Sequence, residues 1–283
     1  MGTINIQQIS SMNITYSHFS FDYFLESTAR AGFKSFEFWA GYPHFCNYDS
    51  NISKVREIRN KIEKSGLKVT CLTGEQAAYA VNMAAQDSNL RRESVAYFQR
   101  LIGQAAELGI PKYLMSIGWG CYDEPLEESW KRGCDSGAQV LKTAEEAGVK
   151  ILWEVMPSYT TNHINGLESA KRIVKDLDSD YSAVCVDTCA ISVAEDETTL
   201  APYLRELGDK LGHIHLIDGA PDGWLAWGDG TQDLKQHLHD MASYNYTGDI
   251  TLEISPSYED PEDAYVRSLA QINKYLPYST EEV

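Results

Sequence analysis

Ile151-Leu152-Trp153-Glu154 is a short apolar run that ends on a carboxylate, and the pattern returns as Ala183-Val184-Cys185-Val186-Asp187, His213-Ile214-His215 and Ile250-Thr251-Leu252-Glu253. The terminal residues recur every 28 to 38 positions, the length of a strand and a helix together. One site assembled from four successive strands is therefore expected. Glu154, Asp187, His215 and Glu253 would supply three carboxylates and one imidazole. That oxygen-rich set suits Mn²⁺ first, then Co²⁺ or Mg²⁺, better than structural zinc.

Outward from these runs, β-rich segments alternate with amphipathic stretches along the whole chain. Strands are expected near residues 3–8, 33–39, 68–73, 112–117, 150–154, 183–187, 213–217 and 249–254. Helices are expected over 21–31, 52–65, 91–108, 128–147, 167–177, 200–211, 233–243 and 261–275. Gly32, Gly66, Gly109, Gly148, Gly212 and Gly248 stand between a helix and the next strand, where a left-handed cap is wanted. Eight such units predict an α/β fold, a single (β/α)8 TIM barrel. No proline-rich or low-complexity linker divides it, so residues 1–283 read as one domain. A doubly wound open sheet is the competing architecture, weakened by the lack of a G-x-G-x-x-G after the first strand.

Composition narrows the partners. The 41 acidic against 24 basic residues give a formal charge of −17, which repels phosphate backbones and argues against nucleic acid. No run reaches the roughly 18 apolar residues of a membrane span, and MGTINIQQIS is not a signal peptide, so a cytoplasmic protein is expected. The six cysteines, Cys46, Cys71, Cys121, Cys134, Cys185 and Cys189, form no C-x-x-C pair and read as reduced, partly buried residues. Cys185 shares strand parity with Asp187, but a thiolate among three carboxylates is the wrong chemistry for a ligand.

The longest loops, Gly118 to Pro125 and Asp218 to Gly230, fall on the strand C-terminal side, where barrel enzymes place their chemistry. Aromatics gather near that side: Trp39, Tyr42, Phe45, Trp119, Tyr122, Trp153, Tyr159, Trp224 and Trp227. Of these, Trp119, Trp224 and Trp227 are candidates to stack on a sugar or an attached apolar group, with loop packing as the bland alternative. His44 is a further candidate substrate contact. His213 should share a strand face with His215 one layer deeper and orient a ligand by hydrogen bonding. His237 and His239 read as part of a surface helix.

FEFWAGYPHF (36–45), VNM (81–83) with RRES (91–94), VDTCA (186–190), LGDKLGHIHLID (207–218) and LEISPSYEDP (252–261) resemble the xylose-isomerase-like barrels, within them the ketose 3-epimerases of the fructoselysine type. The likeness extends over nearly the full chain. It implies that Glu154, Asp187, His215 and Glu253 bind the metal and that Glu154 and Glu253 are the catalytic pair. It also implies 3-epimerisation of a ketose or ketosamine through a cis-enediolate held at the metal, and a homo-oligomer.

Three departures bear on the substrate. Free-ketose epimerases usually place a glutamate where this chain has Thr160, often a histidine where it has Ala190, and an arginine where it has Pro221. Those groups grip the O1 and O2 end of a free ketose. Their loss keeps two alternatives open. One is the α-subunit of a C-glycoside deglycosidase, a carbon-carbon lyase that requires a small β-subunit. The other is a non-catalytic sugar-binding barrel.

Overall fold

The computed structural model describes residues 2–45, 52–195, 199–220 and 222–279; Cys46 and Pro221 lie outside them. Ten strands occur in the order β1 (Thr3–Ile4), β2 (Ile9–Met12), β3 (Ser35–Ala40), β4 (Lys68–Gly74), β5 (Lys112–Met115), β6 (Lys150–Val155), β7 (Ser182–Asp187), β8 (Leu211–His215), β9 (Asp249–Thr251) and β10 (Tyr278–Ser279). Strands β2 to β9 close into a parallel barrel in chain order. Nine helices are described: α1 (Phe21–Arg30), α2 (Ile52–Ser65), α3 (Ser88–Leu108), α4 (Leu126–Ala147), α5 (Leu167–Asp176), α6 (Thr188–Glu195), α7 (Ala201–Leu207), α8 (Leu234–Ser243) and α9 (Pro261–Ile272). This is a (β/α)8 barrel. Among the described residues no helix is long and apolar enough to cross a membrane.

Each barrel strand is buried on both faces, so its two faces carry different work. Outward residues such as Phe36, Phe38 and Trp153 meet the helices, and Trp153 closes its indole N–H onto Ser182 Oγ at 2.9 Å. Inward residues Cys71, Leu114, Leu152, Ala183 and Cys185 form a separate small cluster that fills the barrel. Cys185 is thus core, its thiol pushed up to about 12 by burial, whereas Cys121 is exposed.

The first strand lies elsewhere than the sequence indicates. Thr3–Ile4 pairs antiparallel with β10, residues 6–8 form a 3-10 turn, and the barrel strand is Ile9–Met12. Asn5 makes the turn, because its side chain accepts the Gln7 N–H while Gln8 returns a bond to the Asn5 N–H. The true strand escaped notice because it reads Ile-Ser-Ser-Met. Its polar Ser10 faces inward onto Thr251 at 2.8 Å.

Glycine at 32, 66, 109 and 148 adopts positive φ, and at Gly148 the N–H reaches the Ala144 and Glu145 carbonyls to end α4. Gly212 and Gly248 do not cap; Gly208 ends α7 instead. Gly212 is the extra residue of a bulge in β8, and a Cβ there would lie 2.9 Å from Leu152 Cδ2. Space, not backbone freedom, requires that glycine. The expected helix over 200–211 stops at Leu207, and α6, directly after β7, was not anticipated.

Candidate active site

Four strand ends bring their polar side chains to one point. His215 Nδ1 lies 2.9 Å from Glu253 Oε2, 3.5 Å from Glu154 Oε1 and 4.0 Å from Asp187 Oδ2. Glu154 belongs to β6, Asp187 ends β7, His215 ends β8, and Glu253 follows β9 by two residues. Asp187 is fixed by its position, since its Oδ1 accepts the backbone N–H of Cys189 at 2.6 Å and Ala190 at 2.9 Å. It starts α6 in the manner of a helix N-cap.

The electrostatics of this cluster are those of a site short of positive charge. Burial, reinforced by the neighbouring Glu253, pushes the Glu154 carboxyl well above the ordinary range. The same causes push Asp187 up to about 7. Burial alone would favour a neutral His215, but Cys185, Glu37 and Glu253 more than offset it and raise the imidazole well above its usual value. Cys185 is a neutral thiol near pH 7, so the two carboxylates carry that effect.

The donor set fits a divalent ion. His215 Nδ1 is buried with no hydrogen-bond partner, and it faces carboxylate oxygens that repel one another. Ligand atoms of Glu154, His215 and Glu253 all lie within 4.8 Å of one another, close enough to share one cation. Asp187 Oδ2 borders the same point from the α6 side.

Behind His215 stands a residue the sequence reading missed. Glu37 of β3 is fully buried and accepts from His215 Nε2 at 3.1 Å, from His213 Nε2 at 3.0 Å and from the Thr73 hydroxyl. Burial opposes its charge, yet the two histidines hold its carboxyl well below the usual range. Bonding through Nε2–H turns the other ring nitrogen, Nδ1, toward the carboxylates, where it would take an ion in place of its proton. His213, kept neutral by burial, shares Glu37 with His215 and also lies edge-on to its ring, centroids 5.4 Å apart. A glutamate amid apolar residues in Phe36-Glu37-Phe38-Trp39 was the available signal. The β4 strand bulges opposite it, which is how a barrel re-aims one inward side chain.

A cavity opens over the cluster, lined also by Trp39, Glu75, Gln76, Thr160, Ala190 and Trp224. Trp39 Nε1 donates to Glu75 Oε2 at 2.9 Å, a pair the sequence did not single out. Trp224 donates Nε1–H to Asp187 Oδ2 at 2.7 Å from a backbone at φ 47, with its carbonyl held by Ser255 N–H at 2.8 Å. Trp119, 37% exposed, lines a smaller adjoining pocket.

Two expected substrate contacts sit elsewhere. His44 is buried between Asn13 Nδ2 at 2.7 Å and the Phe19 carbonyl at 2.9 Å, against Phe21 and Phe24. Trp227 is buried too, its indole on the Leu216 carbonyl at 3.1 Å and its ring against His237, which is itself fully buried rather than on a surface. Phe45 and Trp153 likewise belong to the core. Apolar packing claims His44, Phe45 and Trp227 because their loops fold back instead of lining the mouth, and Trp153 because it lies on the outward face of β6.

Fold and site together define a parallel (β/α)8 barrel with a buried carboxylate–histidine cluster at its mouth. The chain belongs to the xylose isomerase-like TIM barrel family, whose sequence model matches residues 25–275. It is 26% identical to fructoselysine 3-epimerase of Shigella flexneri over 249 residues, 87% of this chain and 90% of that protein. Against 3-dehydro-D-guloside 4-epimerase of Escherichia coli the identity is 25%, covering 77% of this chain and 84% of the relative. The structure of 3-keto-D-glucoside 4-epimerase from E. coli superposes with a TM-score of 0.80 at 23% identity, over 94% of this chain and 99% of that one. D-Psicose 3-epimerase from Clostridium cellulolyticum gives 0.77 at 18% identity, over 94% and 98%.

Proposed function

We propose that this protein is a divalent-metal-dependent sugar epimerase that removes and replaces the proton α to a carbonyl, acting at C3 of a ketose or ketosamine, with Mn²⁺ as the preferred ion. The observation that carries this reading is the placement of Glu154 and Glu253. They approach the same His215 nitrogen from β6 and β9, with β7 and β8 between them. Both line the cavity, and in this reading they would face a bound sugar from opposite sides.

Inverting a stereocentre needs an acid and a base on opposite faces, and this pair supplies them. One glutamate takes the proton from carbon and the other returns one from the far side. A bound divalent ion would neutralise the negative charge that develops on the carbonyl oxygen. Glu154, Asp187, His215 and Glu253 would hold that ion, while Glu37 and Trp224 keep His215 and Asp187 in place. A barrel that only bound sugar would have no need of two carboxylates so placed.

A second reading shares the first step: cleavage of a carbon-carbon bond in a 3-oxo-C-glucoside with a small β-subunit. Thr160 and Ala190 favour it, since both line the cavity and neither offers the charged grip expected for a free ketose. NMR in D₂O with Mn²⁺ separates the two. Deuterium entering C3 of fructose, another ketose or fructoselysine, with its epimer appearing, supports the epimerase. Aglycone release from the oxo-glucoside, without exchange in the ketoses, transfers the assignment to the lyase.

A further inference from the structure

We infer that the sugar this site accepts carries a methyl-sized apolar group, that of a deoxy sugar, seated in a narrow pocket that opens off the metal cavity. The polar part of that substrate rests on the epimerase reading above; the apolar part rests on the pocket itself. Its walls are Val81, Met83, Phe98, Trp119 and Met156, and it joins the main cavity along Gln76, Ala77, Met156 and Thr160.

The polar groups of the pocket wall are largely committed elsewhere. Asn82 Oδ1 accepts from the N–H of Ala84 at 2.9 Å and of Trp119 at 3.2 Å, and its Nδ2 donates to the Trp119 carbonyl at 2.9 Å. Ser116 Oγ accepts from Gly118 N–H, and Thr161 Oγ1 donates to the Gly118 carbonyl. Gln76 Oε1 accepts from Ser116 N–H at 3.0 Å. What remains facing inward is mainly methyl, thioether and ring surface.

Water in such a pocket finds few partners and is displaced at a gain by an apolar group. A hydroxymethyl group in the same place would instead lose hydrogen bonds that the walls cannot replace. The pocket is also preformed. Val81, Met83 and Phe98 are all buried, and Gly118, at φ 91, leaves no room for a Cβ against Asn82 Oδ1. Thr160 at the rim is short enough to leave the passage open, and its neighbour Ala77 adds only a methyl group.

The test uses the full chain loaded with Mg²⁺ and three sugars: D-fructose, 1-deoxy-D-fructose and 6-deoxy-D-fructose. Affinity is measured by calorimetry, and exchange at C3 is followed in D₂O. One deoxy sugar should bind about tenfold tighter than fructose, the discrimination expected of one group in an apolar pocket. Ala77→Leu, which narrows the rim, should remove that preference with an unchanged circular dichroism spectrum. Equal or weaker binding of both deoxy sugars overturns the inference, and C3 exchange with fructose in that experiment leaves the ketose reading intact. Tighter binding of a deoxy sugar without exchange upholds the pocket and overturns the C3 reading. No binding of any of the three overturns both.

Discussion

Glu37 accepts the Nε2–H of His215 at 3.1 Å, so a carboxylate that touches neither the cavity nor the metal point sets which nitrogen of the histidine is free. Replacing it by glutamine keeps the size but not the charge, and the amide can offer N–H as readily as oxygen. Glu37→Gln should weaken Mn²⁺ binding 10- to 100-fold by calorimetry, the usual cost of losing such a partner. Imidazole ¹⁵N spectra of the metal-free protein should show His215 losing its second proton at lower pH than in the parent, because Glu37 helps hold that proton. Unchanged affinity together with an unchanged titration would refute the role.

Trp224 acts on the other side of the cluster, through its 2.7 Å bond to Asp187 Oδ2. That bond favours the ionised carboxylate in a site where burial pushes Asp187 up to about 7. Trp224→Phe keeps the ring and removes the donor, so metal affinity should fall about tenfold. Trp224→Ala removes both and should raise KM for the sugar as well. A phenylalanine variant that binds metal like the parent would limit Trp224 to stacking.

The loop that carries Trp224 hangs on Asp218, which accepts the N–H of Gly228, Gly230 and Gln232, all at 2.9 Å. Three orphaned amides follow its removal. Asp218→Ala should cost about 2 kcal/mol in denaturant unfolding and speed hydrogen exchange at those three residues. Protection equal to the parent would show that the loop is held by something else.

Two buried histidines predict how stability responds to acid. Burial pushes His237 down to about 4 and His163 down to about 4, against roughly 6.5 for a free imidazole. Between pH 4 and 6.5 the unfolded chain binds more protons than the folded one, so stability falls as pH falls through that window. Above it the contribution is complete. His237→Gln can still meet Gln232 and should remove about 3 kcal/mol of the loss between pH 7 and 4. Parallel pH profiles for parent and variant in chemical denaturation would contradict this.

Much of this architecture was legible because the chemistry sits at strand ends. Glu154, Asp187, His215 and Glu253 end apolar runs at intervals of 28 to 38 residues, a recurrence that composition alone does not produce. Glu37 was not legible in the same way, since its strand has no repeat partner and its role appears only when β3 faces β8 across the barrel interior. The first strand was misplaced because Ser10 and Ser11 erase the apolar signal of a short strand whose inward face is polar. His44 and Trp227 show the opposite error. Their loops look like mouth segments in sequence, and only the fold reveals that Phe21, Phe24 and His237 cover them.

The central claim is that Glu154 and Glu253 exchange a carbon-bound proton from two sides of one sugar. The direct measurement is deuterium incorporation at C3 in D₂O with Mn²⁺, for the parent, Glu154→Gln and Glu253→Gln, using whichever ketose or ketosamine the parent turns over. The account predicts incorporation by the parent and a loss of epimer formation of at least about 100-fold in each variant, with folding retained. Epimer formation at parental rates in both variants would contradict it.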